Sequence, residues 1–153
     1  MNAPSSEQRA YDELCCYTLA HGAPSFIHQH VVDAWAVQRA DEATKPITIT
    51  FGLIGLYLRV EQQWSGRRVQ RAHMALAREK HAWPAFVLPR DRGAVTAATV
   101  MTAPPGPERD AAIDAWCAAV WNAVRGNRET VVALLDQHGI IDRASGVLNQ
   151  RRG

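Results

Sequence analysis

Apolar side chains recur through most of this chain at spacings of three and four residues, the period of helices that bury one face. From Ser6 the pattern carries Tyr11, Leu14, Tyr17, Thr18 and Leu19 on an incomplete helical stripe, with Ser6 placed to cap the helix. His21 and Gly22 stand where a helix should stop, glycine tolerating the left-handed conformation and histidine complementing the helix dipole. Pro24 can open a second helix through Phe26, Ile27, Val31 and Trp35 to about Ala40. So short a link makes the two helices an antiparallel hairpin, with position 15 level with about 30 and position 12 with about 33.

Residues 47–64 carry two conflicting signals. Ile47-Thr48-Ile49-Thr50-Phe51 alternates like a strand, yet Ile47, Phe51, Ile54 and Leu58 follow one helical face and Leu53, Tyr57, Val60 and Trp64 another. The length, and the lack of any internal turn, favour a buried helix in which Gly52 and Gly55 let another backbone approach. Each glycine costs roughly 1 kcal/mol against alanine, which close packing must offset. After Ser65-Gly66, residues 67–80 form a basic helix with Val69, Ala72, His73 and Leu76 inward. The two prolines of 81–95 exclude a regular helix, so Trp83, Phe86 and Leu88 belong to an extended connector folded over the helices or covered by a second copy of the chain. Thr96 caps a short helix to about Thr102, Pro107 starts a long one through Ile113, Trp116, Cys117, Val120 and Trp121, and Gly126-Asn127 separates it from a last helix, 128–138. The expectation is all-α: one compact domain over 7–141 with about six or seven helices, between flexible ends at 1–6 and 142–153.

Composition narrows the classes of function. A hydrophobic fraction of 47% with 21% charged residues in 153 suits a single globular domain. The net charge of +2 is too balanced to imply nucleic acid, and the basic stretch Arg67, Arg68, Arg71, Arg78 and Lys80 lacks interleaved aromatics, so it reads as a solvated face. No apolar run reaches a membrane span and the first residues carry no secretory pattern, which predicts a cytoplasmic protein with no membrane partner. The three cysteines form no disulfide framework. The five tryptophans read as core.

The chemically reactive side chains concentrate in the first hairpin. Cys15 or Cys16 can approach His28 or His30 across it, with Asp12 and Asp33 a turn further along. Thiolate, imidazole and carboxylate together are zinc-type ligands, so Cys15, Cys16, His28, His30 and Asp33 are the candidate metal set for zinc or another transition metal. Not all can ligate, because His28 and His30 lie about 200° apart around a helix. No Cys-x-x-Cys or His-Glu-x-x-His spacing accompanies them. The same residues allow two other readings. In one they are packing and hydrogen-bonding groups of a non-catalytic module that binds a small ligand or a protein. In the other a Cys–His pair, with Asp33 orienting His30, makes a thiol-dependent enzyme. His73 reads as a hydrogen-bonded histidine between helices. All of this rests on one geometric expectation, a thiol of Cys15 or Cys16 close to the imidazole of His28 or His30.

The run Tyr11-Asp12-Glu13-Leu14-Cys15-Cys16-Tyr17-Thr18-Leu19-Ala20-His21-Gly22, followed by Pro24-Ser25-Phe26-Ile27-His28-Gln29-His30-Val31-Val32-Asp33-Ala34, resembles an uncharacterised bacterial family known only as a domain of unknown function. The resemblance continues through Gly55-Leu56-Tyr57, Val69-Gln70-Arg71-Ala72-His73 and Trp83-Pro84, over most of the chain. It implies no activity, cofactor or catalytic residue.

Overall fold

The computed structural model describes residues 5–20, 25–79 and 82–142. Residues 1–4 and 143–153 of the ends expected to be flexible, and the helix stop expected at His21-Gly22, lie outside the described residues. The described chain is all helical: α1 (Ser6–Ala20), α2 (His28–Gln38), α3 (Pro46–Val60), α4 (Gly66–Ala77), α5 (Ala97–Met101), α6 (Pro107–Val124) and α7 (Arg128–Gln137), with a 3-10 turn at Arg125–Asn127 before the last. These helices pack around one apolar core and form a single domain.

Helix α1 starts where expected, but its cap is Ser5, whose Oγ accepts from the Gln8 amide at 3.1 Å. Helix α2 departs further from expectation and begins at His28 rather than at Pro24. Ser25 to Ile27 run irregularly, with Phe26 at φ 53°, a left-handed conformation that costs a non-glycine residue about 1–2 kcal/mol. Tertiary docking holds it there. The Arg67 amide donates to the Ser25 carbonyl at 2.9 Å, and a Cβ on Gly66 would overlap the Phe26 carbonyl. The hairpin itself is antiparallel. Tyr11 stacks on Trp35 with ring centroids 4.2 Å apart, and Thr18 Oγ1 lies 2.9 Å from His28 Nδ1. Both pairs obey one register, with position 15 level with 31, a single residue from that expected.

Helix α3 resolves the ambiguity of 47–64 in favour of helix. Pro46 occupies its first turn, and Leu53, Ile54, Leu56, Tyr57 and Leu58 are all buried, as a helix surrounded on several sides requires. A strand would bury alternate residues only. It contacts α2, α4, α6 and α7, and is the centre of the molecule.

Glycine sets its distance from α2. A Cβ on Gly52 would meet Val37 Cγ2 at 2.8 Å and the Asp33 carbonyl at 3.2 Å, and one on Gly55 would overlap the Asp33 carboxyl group.

The connector lies over the helices as expected, with Trp83, Phe86 and Leu88 packed against the core. Arg92 anchors it. Its Nη1 donates to the carbonyls of Val37, Gln38 and Ala40 at 3.2, 3.3 and 2.5 Å, satisfying the open C-terminal end of α2. Gln38 completes the joint by donating to Val95 O at 2.7 Å while accepting from Trp116 Nε1 at 2.9 Å. Among the described residues no helix is long and apolar enough to cross a membrane.

The glycine contacts predict an asymmetry between two alanine substitutions. Gly126 meets nothing within 4 Å of an added Cβ, so Gly126→Ala should be neutral or stabilise by up to about 1 kcal/mol. Gly55→Ala should destabilise by about 3 kcal/mol despite its better helix propensity, because Asp33 or the α2 backbone must move. Urea unfolding of the two variants measures the difference.

Candidate functional site

The buried face of α2 holds the most unusual polar groups of the molecule. His30 is 2% and Asp33 3% exposed. Asp33 Oδ1 accepts from Gln29 Nε2 at 3.1 Å, whereas Oδ2, set against Gly55, has no hydrogen-bond partner. Burial pushes its carboxyl well above the usual carboxylate range, and Gln29 offsets only part of that. The acid is therefore held toward its neutral form. His30 is pushed the other way, down to about 3, by burial and then by the Arg59 guanidinium. Its imidazole is neutral, and its Nδ1 has no partner. The Cys117 thiol, from α6, donates to the His30 carbonyl at 3.6 Å.

Gln29 links this face to α4. The same Nε2 lies 3.2 Å from His73 Nδ1, and an amide nitrogen only donates, so Nδ1 accepts and the His73 proton sits on Nε2. That Nε2 lacks a partner of hydrogen-bonding geometry. Burial lowers His73 to about 4, against the opposing effect of the nearby Phe51 carbonyl. The ring stacks on Phe51 at 5.1 Å. His73 is thus the interhelical, hydrogen-bonded histidine that its sequence position implied.

The candidate ligands of the first hairpin each have their own surroundings. Thr18 Oγ1 lies 3.1 and 3.2 Å from the carbonyl oxygens of Leu14 and Cys15 and 2.9 Å from His28 Nδ1. Cys15 pairs with the Tyr11 hydroxyl, and Cys16 is exposed on α1. His30 and Asp33 lie on the buried face of α2. Burial pushes the Cys15 thiol up, and the Cys117 thiol higher still, the opposite of what a nucleophilic thiolate requires. Among the described residues no group of three or more His, Cys, Asp and Glu side chains is arranged to hold a metal ion.

Two features had no place in the sequence reading. Gln29 sits one helical turn before Asp33, a spacing that places the two on one face, and this was its only signal. The second is an open groove of about 650 Å³ between the α2–α3 turn and the connector. Ala40, Ile49, Phe86 and Leu88 give it apolar walls, Asp41 and Glu42 an acidic rim. Val87, beside it in sequence, is 84% exposed.

The buried groups predict opposing pH dependences. His30 and His73 fall below the ordinary 6.5 on folding, so their contribution is present above that value and lost as pH falls toward their folded values. Urea unfolding should show a loss of roughly 2 kcal/mol per histidine between about pH 7 and pH 5, and His73→Gln should remove its share. Asp33 rises above 3.8, so its contribution is present at low pH and lost as pH increases. Asp33→Asn should therefore gain on the wild type steadily as pH rises from about 4 to 8.

Neither a curated protein nor a solved structure shows a significant match to the chain. The family model that does match covers residues 5–125, from the cap of α1 to the end of α6, and so takes in the buried face of α2, Gly55, His73 and the connector. The chain belongs to the family of unknown function DUF5946.

Proposed function

We propose that this protein is a non-catalytic interaction module whose groove receives an apolar, basic segment of a partner protein. The observation that carries the reading is the groove beside the α2–α3 turn. Its walls are apolar, and Asp41 and Glu42 supply carboxylates at its rim. Among the described residues the one cation lining it, Arg92, is committed to the carbonyls of Val37, Gln38 and Ala40 and, through Nε, to Pro89 at 2.8 Å. The rim that remains is acidic and complements lysine or arginine. Phe86 and Leu88, partly buried, alternate with exposed Val87 in a stretch without helix, which suits a peptide laid alongside it. The raised thiols of Cys15 and Cys117 support a binding role over a thiol-dependent enzyme.

The test uses two fluorescein-labelled peptides of equal length, one alternating leucine with lysine and one alternating leucine with glutamate. Fluorescence anisotropy should show the basic peptide bound and the acidic one not. The D41N/E42Q double variant should weaken binding about tenfold, and Leu88→Asp should abolish it while circular dichroism stays helical. Equal binding of both peptides, or none, would overturn the proposal. So would zinc retained by untagged protein and lost on Cys15→Ser, which would restore the metal reading of the first hairpin.

A further inference from the structure

The two acids on the rim of the groove differ in what they do. Asp41 Oδ1 accepts from the Ala43 amide at 2.9 Å and from the Thr44 hydroxyl at 3.2 Å, which fixes the turn between α2 and α3. Glu42, beside it, presents a second carboxylate on the exposed side of that turn. Two large apolar side chains, Ile47 and Val87, are exposed close in sequence to the wall residues Ile49, Phe86 and Leu88. Apolar surface of this kind, bordered by charge, is the mark of a surface that something covers.

The chain carries a segment of the matching chemistry. Residues 143–153, beyond the last described residue, hold the three arginines Arg143, Arg151 and Arg152, with Val147 and Leu148 between them and no aspartate or glutamate. The other 142 residues hold fourteen lysines and arginines against fifteen acids, so the basic excess of the protein resides in this segment. The described chain also ends within reach of the groove. The His138 ring lies 6.3 Å from the ring of Trp83, in the connector whose Phe86 and Leu88 wall the groove. Trp83 meets Phe51 edge-on at 5.3 Å, two residues from the wall residue Ile49. From Trp83 to Phe86 is at most about 10 Å of chain, whereas the ten residues from His138 to Leu148 can span about 33 Å.

We propose that residues 143–153 lie in the groove of their own chain, with Val147 and Leu148 against its apolar walls and Arg151 and Arg152 at its acidic rim. The inference rests on the reading of the groove as a receptor for an apolar, basic segment, and adds the regulation of that site. A partner must displace a segment that the protein already carries. Attachment to the same chain gives the segment an effective concentration on the order of millimolar, so even a weak contact keeps the groove mostly covered.

The experiment compares methyl NMR spectra of the full chain, ¹³C-labelled at its isoleucine, leucine and valine methyls, with those of the full-chain variant L148D/R151E/R152E. The Ile49, Val87 and Leu88 resonances should differ between the two proteins, equally at high and at low protein concentration, while Leu14 and Val120 in the core stay in place. The leucine–lysine peptide should bind the variant about tenfold more tightly than the wild type, as expected when a groove open in roughly a tenth of the molecules becomes open in all. Groove methyls unmoved by the substitutions would overturn the inference, and the partner reading would stand on the binding of the basic peptide alone. A difference that disappears on dilution would put the segment of a second copy in the groove and overturn it as well. Shifted groove methyls in a protein that binds neither peptide would instead remove the partner reading and keep the segment in the groove.

Discussion

The arrangement depends on the contact between Asp33 and Gly55. An aspartate on the inward face of α2 has no room beside a helix that carries a side chain at the facing position. Glycine there removes the Cβ that would collide with the carboxyl group, and Gly52, nearly one turn earlier, does the same for Val37 and the α2 backbone. The helices come close enough that water is excluded and the carboxyl is buried whole. A charged carboxylate in such a place would be costly, and the neutral acid, held by one hydrogen bond from Gln29, is the form the packing favours.

That contact orders the polar interior around it. Gln29, fixed by Asp33, carries the hydrogen bonding across to His73 on α4, and His73 lies flat against Phe51 of α3. His30 projects from the same face of α2, and its carbonyl takes the Cys117 thiol of α6. Four helices thus meet through groups that are each uncharged when buried. Their neutrality has different origins, protonation for the acid and deprotonation for the histidines, so acid and base stress the fold through different residues.

The open features of the described structure lie away from this polar interior. The groove is shaped by the connector, which Arg92 ties to the end of α2, and a second cavity, lined by Arg68 and Arg71, is shaped by Trp64 and the turn after α7.

Helical periodicity, glycine and proline punctuation, the cap at Thr96 and the helix start at Pro107 sufficed to read the all-α class, the order of the helices and the antiparallel register of the first pair from the sequence. These are local properties, fixed by which residues tolerate which backbone conformation. The close approach at Gly52 and Gly55 was legible for the same reason, since a glycine inside a buried helix has to be offset by packing. Its partner was not legible. That Asp33 fills the space, that Gln29 joins it to His73, and that α2 starts at His28 because Ser25 and Phe26 dock on α4 all depend on residues distant in the chain. The sequence determined where reactive side chains occur and on which helices. Only tertiary structure decided their states, because burial and the choice of neighbours, not residue type, set whether an acid is charged, a thiol is nucleophilic or a donor is satisfied.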